Sequence, residues 1–414
     1  MPPTSIYIHI PFCKTRCGYC DFLTFANHSH QHEAYKNALI REITASKQTT
    51  TAHTINTIFI GGGTPTVLPP SYIAQILSAV SNTYHIARDA EITIEANPGT
   101  LSLDTLRTLK ASGINRLSIG LQTWQNEALA SIGRSHTIQD FLTNYNHARS
   151  VGYNNINVDL IFSLPLLNGQ VISANDHIVS KTNDKLYMHK QTTDPIHNWH
   201  TTLQNITNLS PDHISVYSLI LEENTPFFKA YENGILTPQS PELDRQMYHH
   251  AINHLSTNGY THYEISNFAK PNKQCRHNLT YWQRGQYLAF GLGAHGFVNN
   301  TRTGNITDLP TYIQTLASSA YTPGDAIQER THITTKDAME EFMFLGLRCI
   351  DGVDKLRFFH SFSQVIHNVF GNAIESNIKK GLLQENSTKI ALTSKGLDIS
   401  NTVMADFLLD TYEE

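Results

Sequence analysis

Along the chain, short β-branched apolar runs alternate with amphipathic stretches at a spacing of about 30 residues, the length of one βα unit. Ser5–Ile10 (SIYIHI) reads as a first strand, and Glu33–Ser46 as a helix with Ala34, Leu39, Ile40 and Ile43 on one side. Thr54–Ile60 (TINTIFI) runs into Gly61-Gly62-Gly63-Thr64-Pro65, and a helix follows near Ser71–Ser81. Glu91–Ala96 (EITIEA) precedes the turn Asn97-Pro98-Gly99 and a helix that Ser102 caps, with Asp104 in its first turn. Arg116–Leu121, Asn155–Phe162 and His213–Leu219 read as the fourth, fifth and sixth strands.

Six such units predict an α/β fold with a parallel sheet and helices outside it. They are too few for a closed eight-stranded barrel, so the expected architecture is a partial, three-quarter TIM-like (β/α)6 barrel with one open side. In such sheets functional groups collect at the carboxyl ends of strands, and the chemistry-bearing residues here fall there: Cys13, the glycines at 61–63, Glu95, Gln122 and Asp159. Residues 167–195 break the rhythm and read as a polar insertion. The stretch 225–331 holds one long helix (Pro241–Ser256), a strand (Tyr260–Ile265) and a Gly-rich segment, Gly291–Gly296. After Thr334 come helices at Lys336–Leu347, Leu356–Phe359 and Asn368–Lys380, a hairpin at Leu382–Leu392 and a last helix from Thr393. That succession resembles a small winged-helix module, so the chain divides into 1–330 and 331–414.

Charge changes this picture little. Thirty Lys+Arg against 35 Asp+Glu give −5 with no run of five like charges, which argues against a nucleic-acid partner. No apolar run approaches the roughly 18 residues of a membrane span, and no basic leader precedes the first strand, so the expected location is the cytoplasm. Peripheral contact with a membrane surface is compatible with this. Cysteine usage changes more: three of the five, Cys13, Cys17 and Cys20, fall within eight residues.

Cys-x3-Cys-x2-Cys on a loop after a strand offers three thiolates to one inorganic centre. Structural zinc takes four protein ligands, usually as two separated pairs, and fits a lone triplet poorly. An iron–sulfur cube wants one ligand per iron, and three cysteines leave one iron open to a small molecule. Three buried thiols, or a partial zinc site completed by His9 or His28, are the alternatives.

The run Tyr7-x-His9-x-Pro11-Phe12-Cys13-x3-Cys17-x-Tyr19-Cys20 resembles the signature of the radical S-adenosylmethionine superfamily, in the branch of oxygen-independent coproporphyrinogen III oxidase and the HemW heme chaperones. The similarity runs from Ser5 to about Leu409. It implies a [4Fe-4S] cluster on Cys13, Cys17 and Cys20 whose open iron is chelated by S-adenosylmethionine, and electron transfer that can cleave the sulfonium to a 5′-deoxyadenosyl radical. By the same resemblance Tyr7, Tyr19, Gly62, Gly63, Thr64, Glu95, Gln122, Arg134 and Asp159 contact S-adenosylmethionine. Glycines would let backbone carbonyls approach its amino group, and Thr64 would donate a hydrogen bond. Read alone, Glu95 is a solvated strand end, and Asp159, set within an apolar run, is a buried partner for Arg116 or Arg134.

Two departures separate this chain from the oxidase. The oxidase pattern continues Cys-x-Cys where this chain has Cys20-Asp21-Phe22, and the oxidase has a long segment before its cluster where twelve residues precede Cys13. Cys275-Arg276-His277-Asn278-Leu279-Thr280-Tyr281-Trp282 resembles the His-Asn-x-x-Tyr-Trp motif tied to heme in the chaperones. The resemblance implies heme as cargo and heme-accepting apoproteins, respiratory ones among them, as partners. His277 is then an axial-ligand candidate, with Asn278 beside it and Tyr281 and Trp282 offering flat apolar surface. Alternatively the His-Asn pair satisfies a turn and the aromatics pack the open side of the barrel. Cys275 reads as a small buried residue, Cys349 as core on an apolar helix, His295 as a further candidate, and His249 and His250 as surface positions. Ser163-Leu164-Pro165 stands where the family usually has Gly-Leu-Pro. No residue is assigned a catalytic role, and the oligomeric state is left open.

Overall fold

The computed structural model describes residues 4–46, 54–167 and 194–409. The expected insertion falls almost wholly outside these residues. The six expected strands are all present: β1 (Ser5–Ile10), β2 (Thr54–Gly62), β3 (His85–Ala96), β4 (Arg116–Gln122), β5 (Ile156–Phe162) and β6 (His213–Ser218). Two short strands, β7 (Thr261–Glu264) and β8 (Asn267–Ala269), run antiparallel beyond β6. A further strand, β9 (Tyr287–Phe290), pairs in parallel with β1 and carries the sheet into an antiparallel edge of β10 (His295–Val298), β11 (Thr301–Asn305) and β12 (Ile327–His332). The sheet order is thus β7-β8-β6-β5-β4-β3-β2-β1-β9-β10-β11-β12. Seven strands run parallel rather than six, and the sheet does not close on itself.

Helices α1 (His32–Ala45), α2 (Pro70–Thr83), α3 (Leu103–Ala111), α4 (Ile138–Ser150), α5 (Pro195–Leu209) and α6 (Pro241–Thr257) cover the outer face. Their starts follow local chemistry: Ser102 and Thr137 accept N–H bonds at two helix N-termini, and proline occupies the first turn of three. The strands do not follow the uniformly apolar pattern of most doubly covered parallel sheets. In β4, Leu117, Ile119 and Leu121 pack outward into the core, whereas Arg116, Ser118 and Gln122 face a cavity. In β5, Ile156, Val158, Leu160 and Phe162 face the helices while Asn157 and Asp159 face inward, and in β6 Ser215 and Tyr217 do the same. Because side chains from all six strands reach one cavity, the sheet is curled into an incomplete barrel with a polar interior.

Glu42 on α1 ties the Gly-rich segment to this barrel. Its buried carboxyl accepts hydrogen bonds from the Gly291 amide (2.8 Å), the Asn305 amide group (2.7 Å) and the Tyr312 hydroxyl (2.5 Å). Burial pushes it up to about 7.

The C-terminal part has its own core, centred on Phe342, Met343, Leu347, Phe358, Ile374 and Phe407. Helices α8 (Thr335–Gly346), α9 (Lys355–Phe362) and α10 (Ile366–Lys379) precede the hairpin β14 (Leu383–Glu385) and β15 (Lys389–Leu392), with β13 (Val353–Asp354) on the other edge of β15. This is mainly helical with a small antiparallel sheet, as the winged-helix-like pattern implies. Cys349 is a correction: α8 stops at Gly346, so Cys349 sits half-buried in the following turn, where its backbone bridges to Glu264, and is not core.

Ser163, just past β5, has φ of 60°. A left-handed backbone explains why glycine is the usual residue there, since a Cβ costs roughly 1–2 kcal/mol in that conformation. Ser163→Gly is expected to stabilise the protein by about 0.5–1 kcal/mol after the added unfolded-state entropy is subtracted, measured by urea denaturation.

Candidate cofactor cavity

The inward polar face opens on a cavity of about 480 Å3. Its mouth is the cysteine loop. Phe12–Cys13 pairs in parallel with Phe25–Ala26 and holds the two ends of the loop together, while the Gly18 amide donates to the Ile132 carbonyl (3.3 Å) and the Phe227 amide donates to the Gly18 carbonyl (2.9 Å). Cys13, Cys17 and Cys20 are free thiols, each half-buried, all lining the cavity. Burial is the main reason that Cys13 is raised and Cys20 is pushed up to about 11, and the neighbouring thiols add to both. Among the described residues no three His, Cys, Asp or Glu side chains stand as a preformed cage, these included. Three mutually unfavourable thiolates beside a roomy polar cavity nonetheless suit a cationic iron–sulfur centre, which would reverse the sign of each of those interactions.

The Gly-rich loop is pressed against this site. Gly62 has φ of 116°, and a Cβ there would lie 2.6 Å from the His9 ring. At Gly63 it would lie 2.6 Å from the Phe12 carbonyl oxygen and 3.0 Å from the Cys13 sulfur. His9 is not available to complete a zinc site, because one ring nitrogen meets the Tyr7 hydroxyl (2.9 Å) and the other the Leu23 carbonyl (3.1 Å).

A continuous polar chain crosses the mouth. The Arg134 guanidinium donates to the Tyr19 hydroxyl (2.9 Å) and to the Asn97 side-chain oxygen (2.7 Å). The Asn97 amide group donates to the Thr64 hydroxyl (2.8 Å), which lies 3.5 Å from the Cys13 sulfur. Deeper in, Glu95 accepts from the Gly62 amide (3.1 Å), and burial, reinforced by Asp159, pushes it up to about 8. Asp159 accepts from the Ser118 hydroxyl (3.2 Å) and the Asn157 amide group (2.8 Å), is raised by burial, and is influenced by Arg116 and Arg134 only through space. Gln122 has φ of 80° at a break in register between β4 and β5, which turns its side chain toward the cavity.

The motif helix α7 (Arg276–Trp282) forms the base. Glu91 on β3 caps it: its carboxylate accepts the Arg276 and His277 amides (3.2 Å each) and lies 3.6 Å from the Cys275 sulfur. His277 is 1% exposed, and its Nδ1 meets the Thr57 hydroxyl (2.8 Å) while Nε2 meets the Tyr281 hydroxyl (2.8 Å). Since Thr57 donates its own proton to Ser5, Nδ1 donates to Thr57 and Nε2 accepts from Tyr281. Burial pushes His277 down to about 3, so it is neutral. Both nitrogens are engaged, so iron ligation by His277 would require one of these hydrogen bonds to break. Asn278 and Tyr281 line the cavity, but Trp282 does not. Residues 277 and 281 share a helix face at i, i+4, and position 282 lies about 140° round from 277. Trp282 lines a separate crevice.

Fifteen of the sixteen expected site residues therefore converge on one cavity. Asn97, Ser118, Asn157, Ser215 and Tyr217 also line it and are not among the expected site residues, as does Arg116, which the sequence offers only as a partner for Asp159. Their signal was present: polar residues at alternate positions of strands whose other positions are apolar. Cys275 is buried, as expected. His295 is exposed on β10, away from the cavity. His249 pairs with Asp398 (2.8 Å), and His250 packs against His200 and His254.

A curled parallel sheet, with a cysteine triplet after its first strand and a glycine loop after its second, defines a radical S-adenosylmethionine protein. Residues 7–173 match the radical SAM superfamily, and residues 333–399 match the HemN C-terminal domain. The chain is 36% identical to the heme chaperone HemW of Bacillus subtilis over 98% of this chain and 99% of that one. It is 33% identical to HemW of Lactococcus lactis (99% and 98%) and 30% identical to the mitochondrial radical S-adenosyl methionine domain-containing protein 1 of mouse (98% and 87%). The chain belongs to the HemW family. The solved structure of coproporphyrinogen III oxidase (HemN) from Escherichia coli shares its fold, with a TM-score of 0.79 at 24% identity over all of this chain and 91% of that one.

Two outcomes are expected. Glu91→Ala removes the carboxylate that caps α7 and should destabilise the protein by roughly 2–3 kcal/mol in urea unfolding. In cofactor-free protein, Glu95 has a folded-state value above its ordinary one, so stability should fall as pH rises from about 4.5 to about 8. Glu95→Gln should flatten that part of a pH series of thermal melts.

Proposed function

We propose that this chain is a heme chaperone, which binds heme and passes it to apoproteins, respiratory ones among them, and which carries a [4Fe-4S] cluster and S-adenosylmethionine in the cavity described above. The supporting observation is the end-to-end correspondence with the HemW chaperones of B. subtilis and L. lactis. Cys13, Cys17 and Cys20 hold three irons of the cluster. Tyr7, Tyr19, Gly62, Gly63, Thr64, Glu95, Gln122, Arg134 and Asp159 receive S-adenosylmethionine. When bound, the cluster supplies an electron to the sulfonium of that cofactor.

The protein's own residues orient and desolvate the cofactor. Arg134, already fixed by Tyr19 and Asn97, presents a guanidinium to a carboxylate. Glu95 and Asp159 accept from ammonium or hydroxyl donors; burial raises both, and a cationic ligand acts in the opposite direction. Phe22, where the oxidase pattern has a further cysteine, stands 63% exposed at the mouth of the cavity. That favours a chaperone over the decarboxylating oxidase. The division into a barrel to about residue 330 and a C-terminal domain from 331 fits the two separate cores. Among the described residues no helix is long and apolar enough to cross a membrane, and a cytoplasmic location with peripheral membrane contact is compatible with that.

The reading is tested by anaerobic cluster reconstitution, followed by heme titration and a coproporphyrinogen turnover assay on one sample. Heme should bind stoichiometrically without appreciable turnover, and robust protoporphyrinogen formation would overturn the chaperone assignment. Cys17→Ser should lose the iron–sulfur absorption while retaining heme, and an unchanged spectrum would refute the ligand assignment.

A further inference from the structure

A string of hydrogen bonds joins the guanidinium of Arg134 to the sulfur of Cys13, and its central member, Asn97, lies outside the set of residues that the family pattern assigns to the cofactor. Its neighbours fix the orientation of the Asn97 carboxamide. A guanidinium has no acceptor, so the atom that receives the Arg134 Nη1–H at 2.7 Å is the side-chain oxygen, and the nitrogen faces the Thr64 hydroxyl at 2.8 Å. Thr64 is 2% exposed, and among the described residues its hydroxyl has one other partner, the Cys13 sulfur at 3.5 Å. A thiolate bound to iron carries no proton, so with the cluster in place the Thr64 proton points at sulfur. The three bonds then run in one sense, from the cation through the carboxamide and the hydroxyl to the thiolate, and each polarises the next.

Asn97 is held from two sides. Behind it, the turn Asn97-Pro98-Gly99 is pinned: the Asn97 carbonyl accepts from the Thr100 hydroxyl (2.6 Å) and amide (3.2 Å), and the Gly99 amide donates to the Asn144 side-chain oxygen (2.7 Å). In front, β4 passes it with a glycine. A Cβ on Gly120 would lie 3.0 Å from the Asn97 side-chain oxygen, 3.3 Å from an Arg134 nitrogen and 2.8 Å from the Gln122 side-chain nitrogen. Gly120 is outside the left-handed region, so the glycine supplies room for these side chains and not backbone freedom. An asparagine kept only for its turn would bond back to the backbone two residues on. This one instead reaches partners 37 and 33 residues away in the chain.

We propose that Asn97 is a positioning residue that ties the group receiving the cofactor carboxylate to the cluster: it holds the Arg134 guanidinium and relays its polarisation through Thr64 to the Cys13 thiolate, which eases reduction of the cluster. Hydrogen bonds to cluster sulfurs act in this direction because the reduced cluster carries one more negative charge. The inference rests on the placement of the cluster and S-adenosylmethionine in this cavity.

The test is a redox titration of anaerobically reconstituted protein, followed by electron paramagnetic resonance of the reduced cluster, with S-adenosylmethionine affinity measured by calorimetry on the same preparations. Asn97→Leu removes both side-chain bonds at similar volume. It should keep full iron and sulfide content, lower the potential by about 59 mV, a tenfold shift in a one-electron equilibrium, and weaken S-adenosylmethionine binding roughly tenfold. Thr64→Val should lower the potential comparably, and the double variant should lie no lower than Thr64→Val, since Asn97 acts on the sulfur through Thr64. An asparagine that only supports the loop would change cluster content and leave the potential alone. An unchanged potential in Asn97→Leu with its cluster intact, or additive shifts in the double variant, would overturn the relay, and unchanged S-adenosylmethionine affinity would overturn the hold on Arg134. If Asn97→Leu assembles no cluster, Gly120→Ala, whose methyl crowds the Asn97 oxygen, should move the potential in the same sense, and an unchanged potential there would overturn the inference. Failure of the unsubstituted protein to assemble a [4Fe-4S] cluster or to bind S-adenosylmethionine would instead remove the cofactor assignment.

Discussion

Both cavities depend on the buried carboxylate of Glu91. A carboxylate inside a barrel is expensive unless donors surround it, and here they come from the first turn of α7, whose free amides carry partial positive charge. The bond fixes the helix across the base of the barrel, and helical geometry then distributes its side chains. His277 and Tyr281 complete the floor of one cavity, and Trp282 becomes a wall of the other. A short helix held at its N-terminus thus borders two separate cavities, with one network of hydrogen bonds from Ser5 through Thr57 and His277 to Tyr281 beneath the first.

The polar interior is the second constraint. Parallel strands covered by helices ordinarily bury apolar residues on both faces, and a barrel lined that way fills with side chains. Here the inward positions are Ser, Asn, Asp, Arg and Gln, of which Ser118, Asn157, Asp159 and Ser215 bond to one another across strands with space left beside them. Packing on the outer face is apolar and continuous from strand to strand. Barrel stability and cavity chemistry are thereby assigned to alternate residues of the same strands.

Much of this was legible before any coordinates. The six strands carry turn signals and βα spacing, and the cysteine triplet has few explanations. The residues that the family pattern assigns to the cofactor are gathered by the curled sheet around one cavity. What was missed has physical causes. Tyr287–Phe290 is a four-residue strand whose pairing with β1 is decided by tertiary contact and not by local periodicity. Cys349 looked helical because Phe344–Cys349 is largely apolar, but α8 ends before it. Trp282 was grouped with His277 by adjacency in a motif, whereas a helix sends neighbours at i and i+5 to different sides. Ser118 and Asn157 carry little signal in the sequence, because a polar residue in a buried strand is informative only once the inner face of the sheet is known to be hollow.

The first strand has a consequence for how the protein is made. β1 carries the cysteine loop on its end, and one of its two neighbours, β9, lies at the far end of the barrel sequence, with Ser5 paired to Tyr287. During synthesis that edge stays unpaired until almost the whole barrel has left the ribosome, a high-contact-order closure that is slow by nature. The thiols consequently spend the nascent stage on a half-supported strand.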